Sequence, residues 1–255
     1  MSFAFCRVPL AAMRKEPDHR SEMVSQLLFG ERADLTNDRN GPWIRLCSAH
    51  DGYEGWCQEA QLLPQADQPS SGEILLTSEW AARIGFDDQS MWVPLGSTLE
   101  GFQGGLRDWG RHRLRYSGSG WHPDRTDSPG RAVEAIAFRH LNTPYLWGGR
   151  SVFGMDCSGL TQAAYRWIGI GLPRDTHLQA SCGTACVPGE PVQTGDLAFF
   201  DNAEGRITHV GILLVDRRII HAAGRVRIDS WDERGIVHAE TGELTHRASG
   251  RRRLW

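Results

Sequence analysis

Apolar positions change their rhythm along this chain. From Cys6 to about Leu63 they come in short runs, CRVPLAAM, MVSQLLFG, ADLT, PWIRLC and DGYEGWC, separated by turn-forming residues. Runs of this length predict the strands of a small all-β barrel, and Asn40-Gly41 ahead of Trp43 predicts a hairpin. The stretch from Pro64 to Gly72, rich in Pro, Ser and Gly, reads as a linker. Beyond it, EILLTSEWAARIG, SMWVPLGSTLEGF and HRLRYSGSG repeat the short-strand pattern and predict a second small β unit. From about Thr126 the period lengthens. Val133, Ile136, Ala137 and Leu141 follow a 3.6-residue spacing behind Pro129, and Leu160, Ala163, Ala164 and Trp167 form a second such stripe. GDLAFF, HVGILLV, RRIIHAAG and VRIDS then read as four consecutive strands. Helices first and an antiparallel sheet after predict an α+β domain. The expected division is 1–65, 66–122 and 123–255.

Composition narrows the class. With 255 residues, 40% of them hydrophobic and 23% charged, the chain has ample material for cores in two or three globular domains. Its formal charge is 28 − 31 = −3, with no basic block except Arg251 to Arg253, so nucleic acid is not an expected partner. No apolar run approaches the ~20 residues of a membrane span, and MSFAFCRVPLAAMRKEPDHR lacks a secretory leader. These features predict a cytoplasmic protein with no membrane partner. Six scattered cysteines fit reduced thiols better than a disulfide framework, and Cys6 reads as a small strand residue.

The candidate chemistry centres on Cys157. It stands where the second helix should begin, with Asp156 as a cap and the small residues Ser158-Gly159 behind it. A helix start lowers a thiol pKa through unpaired N–H groups and the dipole, which favours a nucleophilic thiolate. A buried structural cysteine is the competing reading, and the Gly-rich approach with its polar flanks argues against it. A thiol nucleophile needs a base, and the base needs an orienting group. Strand alternation puts His209 and Gly211 on one face, and His221 follows twelve residues after His209 (221 − 209), the offset of a hairpin that brings two imidazoles together. His177, Cys182 and Cys186 fit no zinc pattern, so neither a metal nor another cofactor is expected. Gln179 reads as a helix-surface amide, and Trp43, Trp56 and Trp147 as core anchors.

SEMVSQLLFGE, NGPWIRL and DGYEGW resemble a bacterial SH3 domain, and PLGSTL looks like part of a degenerate second one. FRHLNTPYLWGGRSVFGMDCSGL, GDLAFF, THVGILLV and IIHAAG together resemble the NlpC/P60 family of papain-like cysteine peptidases, with all blocks in the family's order. The resemblance implies an α+β chain in which a papain-like catalytic domain follows one clear and one degenerate SH3-like β-barrel. It implies Cys157 as nucleophile, His209 as general base and His221 as the orienting group. Oxyanion stabilisation would come from the Cys157 backbone N–H and the phenol of Tyr145, twelve residues before the nucleophile.

Family members cut the γ-D-glutamyl bond to a diamino acid in murein peptides. The SH3-like units and the missing leader resemble the recycling enzymes, which act on free peptides such as the murein tripeptide and release L-Ala-γ-D-Glu. In such a site a carboxylate pairs with the substrate's free α-ammonium and disfavours acylated chains. By resemblance Asp156, Ser158, Asp175 and Thr176 face the substrate, and Tyr53 with an acidic residue of the first SH3-like unit closes the pocket. Glu22 is the choice for that acid, with Glu31 and Asp18 competing. The alternatives are a non-catalytic murein-binding adaptor and an amidase or acyltransferase using the same three side chains.

Overall fold

In the strand Leu10–Arg14 the side chains of Ala11 and Met13 point inward while their neighbours are partly exposed, the period-two burial that a one-sided β-strand requires. The same rhythm recurs in Glu54–Gln58, where Gly55 and Cys57 are buried. The computed structural model describes residues 2–65, 74–123, 126–187 and 189–255; the predicted linker falls outside the described residues from position 66 onward. Two units are present, Met1–Pro123 with Trp147–Val152, and Asp124–Leu146 with Phe153–Trp255.

Among its described residues, the regular elements of unit 1 are strands and one short 3-10 turn. Its N-terminal sheet has seven antiparallel strands in the order Met23–Leu28, Leu10–Arg14, Glu54–Gln58, Trp43–Ser48, Arg32–Asn40, Phe3–Cys6 and Leu62–Gln65. The expected hairpin is present but displaced by one residue. Asn40 is the last strand residue and pairs with Trp43, so the loop is Gly41-Pro42, with Gly41 at φ +56. Ala4, Cys6, Ala11, Met13, Leu27, Ile44, Leu46, Cys57 and Leu62 pack inside. Residues 74–123 add a four-stranded antiparallel sheet in the order Gln89–Pro94, Ala81–Phe86, His112–Arg115, Leu106–Trp109. The two sheets share a core, in which Phe5 stacks on Trp109 with ring centroids 5.3 Å apart.

The segment Trp147–Val152 is held in unit 1 by Arg150. Its backbone N–H donates to Gln26 Oε1 at 2.9 Å, and its guanidinium reaches the Gln26 carbonyl at 2.6 Å and the Glu31 carboxylate at 3.0 Å. The side chains of this ion pair are 4% and 2% exposed. Glu31 also accepts the Leu28 N–H at 2.9 Å.

In unit 2, helix α1 (Pro129–Arg139) buries Val133, Ile136 and Ala137, and helix α2 (Cys157–Arg166) buries Leu160, Ala164 and Tyr165. The four expected strands are Leu197–Asp201, Ile207–Leu214, Arg218–Ala223 and Arg225–Asp232, paired in that order. They do not form an open sheet. Leu244–Arg253 lies along Leu197–Asp201 and also pairs with Gly235–Val237, which follows Arg225–Asp232, so six strands close on themselves. No residue of Leu244–Arg253 is fully buried, which is why apolar periodicity did not mark it as a strand. The closure needs glycine at 235: its φ is +147, and an added Cβ would lie 1.8 Å from the His246 carbonyl oxygen. Among the described residues no helix is long and apolar enough to cross a membrane.

Candidate active site

Asp156 begins the site by ending the extended chain before α2. Its backbone is extended and its Oδ1 accepts the Gly159 N–H at 2.8 Å, which satisfies one of the open donors of the first turn. Cys157 is therefore the first helical residue, and it is 6% exposed. Its Sγ lies 3.7 Å from Thr176 Oγ1. The first-turn N–H of Ser158 acts on this thiol in the expected direction but does not prevail. Burial pushes the Cys157 pKa up, and the Asp156 charge adds to that; the Thr176 hydroxyl and the Val210 and Ser158 N–H groups only partly oppose it. A protonated resting thiol must hand its proton to a neighbouring base.

The strand pair Ile207–Leu214 and Arg218–Ala223 supplies two imidazoles. Gly211 stands directly opposite His221, and His209 is its diagonal neighbour on the same face. A Cβ at 211 would meet His221 Cβ at 3.0 Å and Ile219 Cδ1 at 2.6 Å, so glycine leaves the space in which the rings meet. His209 Nε2 lies 2.9 Å from His221 Nδ1. Burial pushes His209 well below the ordinary imidazole range, with His221, His246 and Arg227 adding in the same direction. His221, wholly buried, is also lowered, because burial outweighs the opposing Asp229 carboxylate.

Two neighbours of this pair were not singled out from the sequence. Asp229 Oδ2 lies 2.9 Å from His221 Nε2, and His246 stacks on His209 with centroids 4.2 Å apart and planes at 25°. Burial, with the His221 and Arg227 charges, lowers His246 to about 4. The legible signal for Asp229 was its position in VRIDS, eight residues after His221 (229 − 221). His246 had no such signal, since its strand went unrecognised.

Around Cys157 the structure gathers several of the expected residues. The Arg174 guanidinium donates to Asp156 Oδ1 at 3.0 Å and to Ser158 Oγ at 2.7 Å, so both side chains belong to a buried cluster. Asp175 caps the short helix α3 (Thr176–Gln179) through its backbone, without a side-chain cap. Gln179 is not the surface amide expected from sequence. Fully buried, it donates to the Ser158 and Pro173 carbonyls at 3.2 and 2.8 Å and accepts from Thr161 Oγ1 at 2.7 Å. Tyr145 is 36% exposed; burial pushes its phenol up to about 12, and the Cys157 and Asp156 charges add to this.

In unit 1, Tyr53 is half-buried against the N-terminal core. Glu22 is exposed rather than buried: its side chain is 43% accessible, lies 3.7 Å from Lys15 Nζ and accepts the Trp147 Nε1–H at 2.8 Å. Trp147 is therefore not a core anchor, being 60% exposed, whereas Trp43 is buried and Trp56 partly so. The competing acids are otherwise engaged, Glu31 in the Arg150 pair and Asp18 with the Arg20 N–H of its own turn.

Residues 142–243 match the NlpC/P60 family and residues 13–62 match the bacterial dipeptidyl-peptidase SH3 domain. Residues 142–243 thus form an NlpC/P60 domain and residues 13–62 a bacterial SH3 domain; the strands of residues 74–123 lie outside the SH3 match. The chain is similar to a gamma-D-glutamyl-L-lysine dipeptidyl-peptidase of Bacillus cereus, with 28% identity over 79% of this chain and 68% of the relative. Dipeptidyl-peptidase 6 of Lysinibacillus sphaericus is 25% identical over 94% of this chain and 96% of the relative. A solved NlpC/P60 family protein from Bacillus cereus has the same fold, with a TM-score of 0.81 at 22% identity and 99% of each chain covered.

Proposed function

We propose that this peptidase hydrolyses the γ-D-glutamyl bond to a diamino acid in murein peptides bearing a free N-terminal L-Ala, and releases L-Ala-γ-D-Glu. The observation that carries the chemistry is a cysteine at a helix start in the same unit as a buried, neutral imidazole pair. Similarity to dipeptidyl-peptidases along both the SH3 match and the catalytic match supports the substrate class.

In this reading the Cys157 thiol proton passes to His209 as sulfur attacks the amide carbonyl carbon. The oxyanion is met by the Cys157 backbone N–H and by Tyr145, whose raised pKa keeps its phenol a donor. Collapse breaks the C–N bond, and the leaving amine takes the proton from His209. Water, deprotonated by the same imidazole, then hydrolyses the thioester and restores the thiol. Asp156, Ser158, Asp175 and Thr176 would line the substrate side. A second, degenerate SH3-like unit over 66–122 is part of the same proposal, supported by the four-stranded antiparallel sheet among its described residues.

The direction of the His209 shift gives a pH prediction. A general base works unprotonated, and a depressed pKa moves its protonation to lower pH. The acid limb of kcat/KM is expected below the ordinary imidazole value of about 6.5. A profile falling at or above that value would contradict this assignment.

Glu22 is proposed to hold the substrate ammonium: its side chain is 43% accessible and its carboxylate would exchange Lys15, 3.7 Å away, for the substrate cation, whereas Glu31 is buried against Arg150. L-Ala-γ-D-Glu-diaminopimelate, its lysine counterpart and their N-acetylated forms should be compared by release of the diamino acid. Only the free-amine peptides are expected to be cut, and Glu22→Gln should raise their KM about tenfold, the order of one lost charged hydrogen bond. Equal cleavage of the acetylated peptides would remove the free-amine requirement, and cleavage of neither form would remove the substrate class.

A further inference from the structure

We propose that Asp229 is a positioning residue whose carboxylate sets the tautomer of His221 and, through it, that of His209, so that His209 Nδ1 accepts the Cys157 proton. The proposal deepens the reading of Cys157 and His209 as nucleophile and base, and rests on it.

Asp229 lies in the strand Arg225–Asp232 and is 2% exposed. Register explains its placement. Asp229 is opposite Ile219 and Arg227 is opposite His221, so Asp229 is the diagonal neighbour of His221 just as His209 is from the other side. Two successive diagonals across three strands align His209, His221 and Asp229.

The polarity of this row follows from donor and acceptor inventory. Asp229 Oδ2 accepts from Arg227 Nε at 2.9 Å, and Oδ1 accepts the Ala239 N–H at 3.0 Å. Burial by itself would raise the Asp229 pKa, but hydrogen bonds from His221, Ala239 and Arg227 outweigh it and hold the carboxyl below the usual carboxylate range. An ionised carboxylate has no proton to give, so His221 Nε2, 2.9 Å away, must be the donor. Neutral imidazole carries one N–H, which makes His221 Nδ1 an acceptor. Its partner at 2.9 Å is His209 Nε2, which must then carry the hydrogen. His209 Nδ1 is left with an open lone pair.

Without the carboxylate the row can reverse. His221 would donate from Nδ1, His209 would accept at Nε2, and the His209 hydrogen would sit on Nδ1, where a proton has to be received. The carboxylate therefore selects the one neutral arrangement of the two rings that can act as a base toward Cys157, and it offsets the positive charge once His209 is protonated.

Nitrogen-15 NMR of the histidine rings in the full-length protein near neutral pH tests this without a variant. Both His209 and His221 are expected as Nε2–H tautomers with bare Nδ1; a His209 Nδ1–H signature in the wild type would overturn the proposal. Asp229→Leu, similar in volume and without an acceptor, should release the tautomers to reverse and lower kcat by about 10²–10⁴-fold with KM changed less than about twofold. Alkylation of Cys157 by iodoacetamide should slow in parallel. Wild-type kcat or unchanged ring signatures in a folded Asp229→Leu protein would overturn the assignment. The NMR and alkylation readouts need no substrate, so a wrong substrate class would show as an inactive wild type with the expected tautomers, and a wrong tautomer assignment as the reverse.

Discussion

Replacing Cys157 by alanine is expected to lower kcat by at least roughly 10⁵-fold, the order found when the nucleophile of such a set is removed. The reason is chemical, because the covalent acyl intermediate forms on this sulfur. The sulfur lies beside the Thr176 hydroxyl, and burial disfavours its charged form, so removing it takes away a reactive atom and not a structural ion pair. The variant should fold and bind substrate. Isothermal titration with the free-amine peptide should give an affinity close to the wild-type KM, while product release is lost. Turnover near wild type would exclude Cys157 as the nucleophile.

The largest expected effect on stability lies elsewhere. Arg150→Met removes the cation from a pair in which both side chains are almost inaccessible, and leaves the Glu31 charge buried. Its cost is expected to be about 3–5 kcal/mol. The Leu28 N–H still contacts Glu31 but cannot replace a guanidinium that also ties the Gln26 carbonyl. Arg150→Met with Glu31→Gln should recover at least half of the loss, since the charge is gone and an acceptor for the Leu28 N–H remains. Urea unfolding followed by the fluorescence of buried Trp43 and Trp109 measures this in unit 1. A single variant within about 1 kcal/mol of wild type would show that the pair does not anchor the Trp147–Val152 segment.

Much of the site could be read from the chain because its signals are local. Asp156 before Cys157 is a capping pair within one turn, and the His209–His221 offset belongs to one hairpin. The thiol's electrostatics are not legible in the chain, for the opposite reason. A helix start is local, but the burial that raises the Cys157 pKa comes from packing against distant elements. The burial of Gln179 and the exposure of Trp147 are hidden on the same ground, since neither an amide nor an indole in a loop-rich stretch declares from its neighbours whether it will be covered.

The three zones of apolar rhythm, the helix start at Cys157 and the strand face shared by His209 and Gly211 are all written in the chain. Apolar side chains must leave water, and their spacing along the chain records the element that lets them do so. Only the tertiary structure brings about the closing strand Leu244–Arg253, the stacking of His246 on His209, the Arg174 clamp on Asp156 and Ser158 and the burial of Arg150 with Glu31. These contacts join polar groups far apart in the chain. A buried polar group needs a partner with matching hydrogen-bond geometry, and that requirement leaves no periodic trace in sequence.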